Sequence, residues 1–191
     1  CSEKNASVVF AKKKEIAISL LGGHQLNNAA VAIDAIKVLR KKGWMVSDDA
    51  IKNGFEKTKW AGRFEIISNN PTFIIDAAHN PQGIQAAINT LQKIYPGRKY
   101  IFIFGVLADK DYQKMAELLA PHAKKFILVT PGNPRALPAS ELAKFLKHDN
   151  IVSDSIKHGI ELARQTAQPD DIICALGSLK TIGKIRGILN E

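Results

Sequence analysis

Residues 73–81 read Phe73-Ile74-Ile75-Asp76-Ala77-Ala78-His79-Asn80-Pro81. The apolar run at the front is too short for a helix and long enough for a buried strand. It passes without a spacer into small and polar residues, the signature of a turn. Pro81 suits the first turn of a following helix, where its missing N–H costs nothing. An acid, an imidazole and an amide therefore stand at the carboxyl end of a strand, where open α/β sheets collect their ligands. The competing reading is local: Asp76 caps the helix that begins at Pro81, and Asn80 makes the turn.

Outward from this stretch the pattern repeats. Apolar strands are expected at 64–68, 73–76, 99–106, 125–130, 150–153 and 171–176. Helices are expected at 81–94, 112–119, 139–146, 155–166 and 179–189. Strands that are apolar throughout, separated by helices, predict a mostly parallel α/β sheet with helices on both faces.

Upstream the style differs. Residues 6–10 and 15–20 read as two short strands joined by the basic turn Lys12-Lys13-Lys14, and Gly22-Gly23 breaks the pattern. A helix is expected from 24 to 42, with Leu26, Ala29, Ala30, Ile33, Ile36 and Leu39 on one face. Its cationic end, Arg40-Lys41-Lys42, complements the helix dipole. Ser47 is placed to cap a second helix at 48–57. The change of style near residues 58–64 predicts two parts, 1–60 and 61–191.

The 191 residues are 46% hydrophobic, enough for one full core. No apolar run approaches the roughly 20 residues that cross a bilayer, so no membrane partner is expected. The amino end, Cys1-Ser2-Glu3-Lys4, reads as lacking a signal peptide, and the absence of an initiating Met predicts a fragment of a longer chain. Two cysteines, one of them inside the apolar run 172–176, imply no disulfide framework and predict a cytoplasmic protein. The net charge of +9 favours anionic ligands in general. Aromatic residues do not interleave with the basic runs and no nucleic-acid motif is present, so no nucleic-acid partner is expected.

Six segments carry polar chemistry. Gly22-Gly23-His24-Gln25-Leu26-Asn27-Asn28 places glycines and amides before a helix; its Asn and Gln side chains carry the donor and acceptor that an adenine edge needs, or Asn27 or His24 merely caps the helix. Gly62-Arg63-Phe64-Glu65 sets Arg63 at the boundary, where it can reach phosphate or ribose bidentately or make a surface ion pair. In the opening stretch, Asp76 can accept from ribose hydroxyls, and His79 can meet a phosphate or a carboxylate. Lys110 lies between Asp109 and Asp111 straight after a strand, and Asp111 can cap the next helix. Arg135 is the cation at the centre of the stiff loop 130–138. Ser178, in Leu176-Gly177-Ser178-Leu179, joins a strand to a helix and presents a hydroxyl or an N-cap.

Several common sites are missing from the sequence. No P-loop is present, because Gly177 to Gly183 has the wrong spacing and Lys184 is followed by Ile185. No Gly-x-Gly-x-x-Gly follows a strand, no Gly-x-Ser-x-Gly elbow occurs, and Cys and His lack zinc spacing. No metal ligand is expected in this chain.

The ordered set Gly22-Gly23-His24-Gln25 with Asn28-Ala29-Ala30, Trp60-Ala61-Gly62-Arg63-Phe64-Glu65 and Asp76-Ala77-Ala78-His79-Asn80-Pro81 resembles folylpolyglutamate synthase and dihydrofolate synthase of the Mur ligase superfamily. Asp109-Lys110-Asp111, Pro134-Arg135-Ala136 and Gly177-Ser178-Leu179 follow in the family's order. Two departures stand out: the family's Trp-Pro-Gly-Arg hinge reads Trp-Ala-Gly-Arg, and its Asp-Gly-Ala-His-Asn reads Asp-Ala-Ala-His-Asn.

The resemblance implies that 1–60 is the tail of an ATPase domain and 61–191 the C-terminal glutamate-ligase domain, with a Rossmann-like sheet. It implies ATP and Mg as cofactors, bound mainly by an N-terminal ATPase domain that this sequence lacks. The implied reaction adds L-glutamate to folate or dihydropteroate through an acyl phosphate, in a monomer. Asn28 would meet adenine, Arg63 the phosphates or ribose, and Asp76 the ribose hydroxyls. His79 would be the catalytic residue beside the transferred phosphoryl group, with Lys110, Arg135 and Ser178 near the incoming glutamate. On this reading the fragment is inactive alone. The alternatives are a non-catalytic nucleotide-binding or interaction module, and another Mur-type amide ligase acting on cell-wall precursors.

Overall fold

Strand residues alternate sides, so a strand apolar at every position must be covered on both faces. The computed structural model, which describes residues 17–190, shows how this chain covers them. Tyr100, Phe102 and Phe104 pack on one side with Ile74, Cys174, Phe126 and Leu128. Ile101 and Ile103 pack on the other with Phe73, Ile75, Ile127 and Ile173.

The described residues form two compact units, divided between Lys59 and Trp60. The first holds α1 (Gly23–Lys41) and α2 (Asp48–Lys57). The Ser47 side chain caps α2 by accepting from Ala50 N–H at 3.1 Å. The expected strand at 6–10 lies outside the described residues. The expected strand at 15–20 is a correction: its described part, 17–20, is irregular. Ser19 N–H there donates to the carbonyl of Phe55, on α2.

The second unit holds β1 (Glu65–Asn69), β2 (Thr72–Ile75), α3 (Pro81–Ile94), β3 (Tyr100–Phe104), α4 (Tyr112–Leu119), β4 (Ala123–Leu128), α5 (Ala139–Phe145), β5 (Asn150–Val152), α6 (Ile156–Thr166), β6 (Ile172–Leu176) and α7 (Leu179–Leu189). The sheet order is β1-β2-β6-β3-β4-β5. Strand β1 is antiparallel to β2, and every other pairing is parallel. This is the mixed, mostly parallel α/β sheet with helices on both faces that the sequence predicts.

Helices α3, α4 and α5 cover one face and α6 and α7 the other. In α3, Ile84, Ile88 and Leu91 recur at steps of four and three and are all buried. Burying each such side chain contributes about 1.5–3 kcal/mol. One consequence of the order positions the site. Strand β6 inserts between β2 and β3, and its helix α7 leaves to the face opposite α3 and α4. Strand β6 thus sends its helix to the face opposite those of its neighbours β2 and β3, and the carboxyl ends of the three border the crevice that opens there.

Candidate functional site

The loops after β2, β6, β3 and β4 are stitched to one another by backbone hydrogen bonds. Asp76 N–H donates to Ala175 O at 2.9 Å, and Gly177 N–H to Ala78 O at 2.7 Å. Ala108 N–H donates to Arg135 O at 2.8 Å, and Leu137 N–H to Val106 O at 3.0 Å. Glycine is required at 177: its φ is +107°, and a Cβ there would lie 2.5 Å from Gly105 O and 3.0 Å from the Phe104 ring. This close approach lets β6 end directly against β3.

Between these loops lies a cavity of about 270 Å³. His79, Lys110, Arg135 and Ser178 all line it, with Asn133 and Lys180. Four side chains drawn from four separate loops are therefore brought together. Its volume falls just below the roughly 300–1,000 Å³ of sites for drug-sized ligands, so it suits a small molecule.

Ser178 is the N-cap residue of α7, yet its side chain makes no capping hydrogen bond. It is 4% exposed and faces the cavity. The first turn of α7 has N–H groups without intrahelical acceptors, and the helix dipole adds partial positive charge there. Lys110 is half-buried. Its neighbours are engaged elsewhere: Asp111 accepts from Lys114 N–H at 3.2 Å and so caps α4. Asp109 pairs with Arg135 at 2.9 Å, an exposed bridge between the loops after β3 and β4. With Lys110, Arg135 and Lys180 around one cavity, the field favours an anion.

His79 is held by its own loop. Its Nδ1 lies 2.8 Å from Ala77 O. A carbonyl only accepts, so Nδ1 carries a proton, and in the neutral ring Nε2 is the acceptor.

Arg63 and Asp76 do not line the cavity. Asp76 is 7% exposed. One carboxylate oxygen accepts from Phe64 N–H and the other from Ala78 N–H, each at 2.8 Å. Asn80, not Asp76, caps α3 by accepting from Gly83 N–H at 2.7 Å. This corrects the local alternative for the opening stretch. Arg63 is exposed, and its backbone N–H donates to Trp60 O at 3.2 Å. Asn28 belongs to the other unit. It is exposed on α1, and its amide donates to Gln25 Oε1 at 2.9 Å. Gly22, not Asn27 or His24, is the N-cap of α1, and no side chain caps it.

The sequence reading missed Lys180 and Asn133. Lys180 had a signal, since it follows Ser178 by two residues at the start of a helix. Asn133 had none beyond its place in a Pro-Gly loop. Also missed was the pairing of Arg186 Nε with both oxygens of Glu65, at 3.0 and 3.1 Å, across 121 residues of sequence.

Known proteins resemble this chain in sequence and in fold. The chain is 34% identical to folylpolyglutamate synthase of Lacticaseibacillus casei over 92% of this chain and 40% of that protein. A solved structure of Mycobacterium tuberculosis folylpolyglutamate synthase complexed with ADP and AMPPCP has a TM-score of 0.83 at 28% identity, over 93% of this chain and 42% of that one. E. coli FolC in complex with DHPP and ADP has a TM-score of 0.82 at 25% identity, over 93% and 41%. The chain thus spans about two-fifths of the length of the relatives it matches. Residues 62–179, which carry Arg63, all six strands of the sheet and every residue lining the cavity except Lys180, match the family model described as Mur ligase, glutamate ligase domain, and the chain belongs to the Mur ligase family.

Proposed function

We propose that this chain supplies the amino-acid-binding part of an ATP-dependent ligase that joins L-glutamate to a folate or dihydropteroate carboxylate. The observation that carries this reading is the convergence of His79, Lys110, Arg135 and Ser178 on one small cationic cavity at the first turn of α7. A second anionic substrate, small and bearing two carboxylates, matches that chemistry. Similarity to folylpolyglutamate synthases supports glutamate as that substrate. Neighbours complexed with ADP and AMPPCP support ATP as the activating nucleotide.

In the proposed reaction a carboxylate oxygen of the folate-type substrate attacks the γ-phosphorus of ATP. The bond to ADP breaks and an acyl phosphate forms. The glutamate amine then attacks the acyl carbon and gives up a proton. Phosphate leaves, and an amide remains. Lys110, Arg135 and the first-turn N–H groups of α7 hold glutamate's carboxylates, and the Ser178 hydroxyl donates to one of them. His79 Nε2 accepts the amine's proton, with Nδ1 fixed on Ala77 O. Negative charge builds on the acyl oxygen and the leaving phosphate, so the same cations stabilise the transition state. Arg63 is assigned to the phosphates and Asn28 to adenine. We assign Asp76 to holding the backbone just after Arg63 and just before His79, because its two oxygens accept from Phe64 N–H and Ala78 N–H. Magnesium would neutralise phosphate charge in such a reaction. Among the described residues no group of His, Cys, Asp and Glu is placed to hold a metal ion, and no residue of this chain is assigned to it. Residues 1–60 serve as the tail of the ATPase domain in this reading.

The test joins this chain to the portion of the L. casei relative that it does not match, in one polypeptide. ADP release is followed with a reduced folate or dihydropteroate and L-glutamate. Glutamate-dependent release is expected, with His79→Ala lowering kcat by about 10²-fold or more. A folded joined polypeptide that releases no ADP in response to glutamate sinks the assignment. Turnover of a muramyl peptide instead would move the reading to cell-wall chemistry.

A further inference from the structure

The segment Trp60–Glu65 enters the sheet as a strap held at unusual points. Gly62 has φ +70° and Phe64 φ +46°, so two left-handed residues flank Arg63. Such a conformation is unfavourable for a bulky side chain and persists only where surrounding contacts fix it. Here four contacts do so. Gly62 N–H donates to Glu65 Oε2 at 2.7 Å, and Gly62 O accepts from Ala77 N–H at 2.7 Å. Phe64 N–H donates to Asp76 at 2.8 Å. A Cβ on Gly62 would lie 3.1 Å from Ile182 Cγ2, so the strap rests directly on α7.

Arg186 completes the set. Its Nε lies 3.0 and 3.1 Å from the two oxygens of Glu65, the carboxylate that also holds Gly62 N–H. Arg186 sits eight residues after Ser178 on α7, about 12 Å along the helix. One end of α7 therefore lines the cationic cavity, and the other grips the strap that carries Arg63. The Arg63 backbone is fixed on both sides, while its side chain is exposed and has no partner among the described residues. A rigid backbone fixes the point from which the cation reaches out, so only the side chain is left to order when a ligand binds.

We propose that Glu65 and Arg186 are positioning residues: they lock the strap to α7, so that the Arg63 backbone and the first turn of α7 form one rigid frame. The inference rests on the assignment of Arg63 to phosphate made above. It gives Arg186 a task remote from every reacting atom. It also explains why Glu65, two residues from an exposed arginine, pairs with a residue 121 positions away rather than with Arg63.

The test has two arms. In the chain by itself, amide exchange is followed residue by residue by NMR. Arg186→Met, which keeps the stem and removes the charge, should speed exchange at Gly62 about tenfold and leave the amides of α3 and α4 unchanged. Arg186→Lys should restore part of the protection. Unchanged exchange at Gly62 overturns the proposal whatever happens to activity. In the joined polypeptide, Arg186→Met should raise KM for ATP about fivefold, with kcat and KM for glutamate within twofold. In an Arg63→Ala background it should add nothing further. A loss that is the same in both backgrounds means a merely structural role and overturns the proposal. If Arg63→Ala alone leaves KM for ATP unchanged, the phosphate assignment of Arg63 fails and the positioning role falls with it. If the joined polypeptide is inactive, the ligase reading fails and the exchange at Gly62 still decides the lock.

Discussion

Replacing Asp76 by Ala tests what the opening stretch does. The carboxylate is buried and accepts one backbone N–H on each oxygen, from Phe64 and Ala78. A hydrogen bond to a charged group contributes about 1.5–3 kcal/mol, and the variant leaves two donors without their acceptors. The gross loss is about 3–6 kcal/mol on that basis. Part returns, because Phe64 at φ +46° is no longer held in an unfavourable conformation that costs about 1–2 kcal/mol. A net destabilisation of about 3 kcal/mol is expected. At about 2–4 °C per kcal/mol for a chain of this size, Tm falls by about 6–12 °C. Asp76→Asn keeps one acceptor but turns an NH2 toward a backbone N–H, so it should fall between wild type and Ala. Urea unfolding followed by far-ultraviolet circular dichroism measures the change, and amide exchange at Phe64 and Ala78 locates it. Were Asp76 only a ligand contact, its removal would be neutral or stabilising, as functional residues often are. A change below about 1 kcal/mol with intact protection at Phe64 refutes the argument.

Gly177→Ala should cost more than an ordinary surface change, since its Cβ would sit 2.5 Å from Gly105 O at a φ of +107°; a Tm within 2 °C of wild type, by the scale of about 2–4 °C per kcal/mol, would contradict the close approach of β6 to β3. Asp171 titrates below its ordinary value: burial raises it, but Lys124 at 2.6 Å, the Gln168 N–H and the charge of Arg98 together outweigh burial. Its stabilising contribution is therefore complete above the unfolded value of about 3.9 and is lost as pH falls through the lower folded value. Asp171→Asn should flatten the acid limb of stability against pH, and an unchanged limb would count against this ion pair. Helix α2 buries no residue fully, and Trp44 and Met45 beside it are exposed, so amides of 48–57 should exchange much faster than those of β3 and β6.

The parallel sheet was legible because its strands are apolar on both faces, which leaves few alternatives. The ends of α3, α4 and α7 were legible from Pro81, Asp111 and Ser178, each of which marks a helix start. The cavity was legible only as separate loop residues. His79, Lys110, Arg135 and Ser178 each follow a strand, and the rule that ligands gather at carboxyl ends places them on one edge. It does not place them around one hollow; that follows from β6 lying between β2 and β3, a sheet order that local sequence does not encode. Asp76 was read as a contact for ribose or a helix cap. Its partner Phe64 N–H lies 12 residues away and becomes available only because β1 folds back antiparallel on β2. The Glu65–Arg186 pair is similarly a product of topology, since it joins the first strand to the last helix.

The central claim is that the cavity at the first turn of α7 takes the dicarboxylate of an amino-acid substrate. Titration of the isotope-labelled chain with L-glutamate, followed by NMR, tests it most directly. Saturable shifts are predicted at His79, Lys110 and 178–181, weakened by Ser178→Ala and by Lys110→Met and absent with L-lysine as the added amino acid. Shifts that fail to saturate, that scatter over the surface, or that L-lysine reproduces would contradict it.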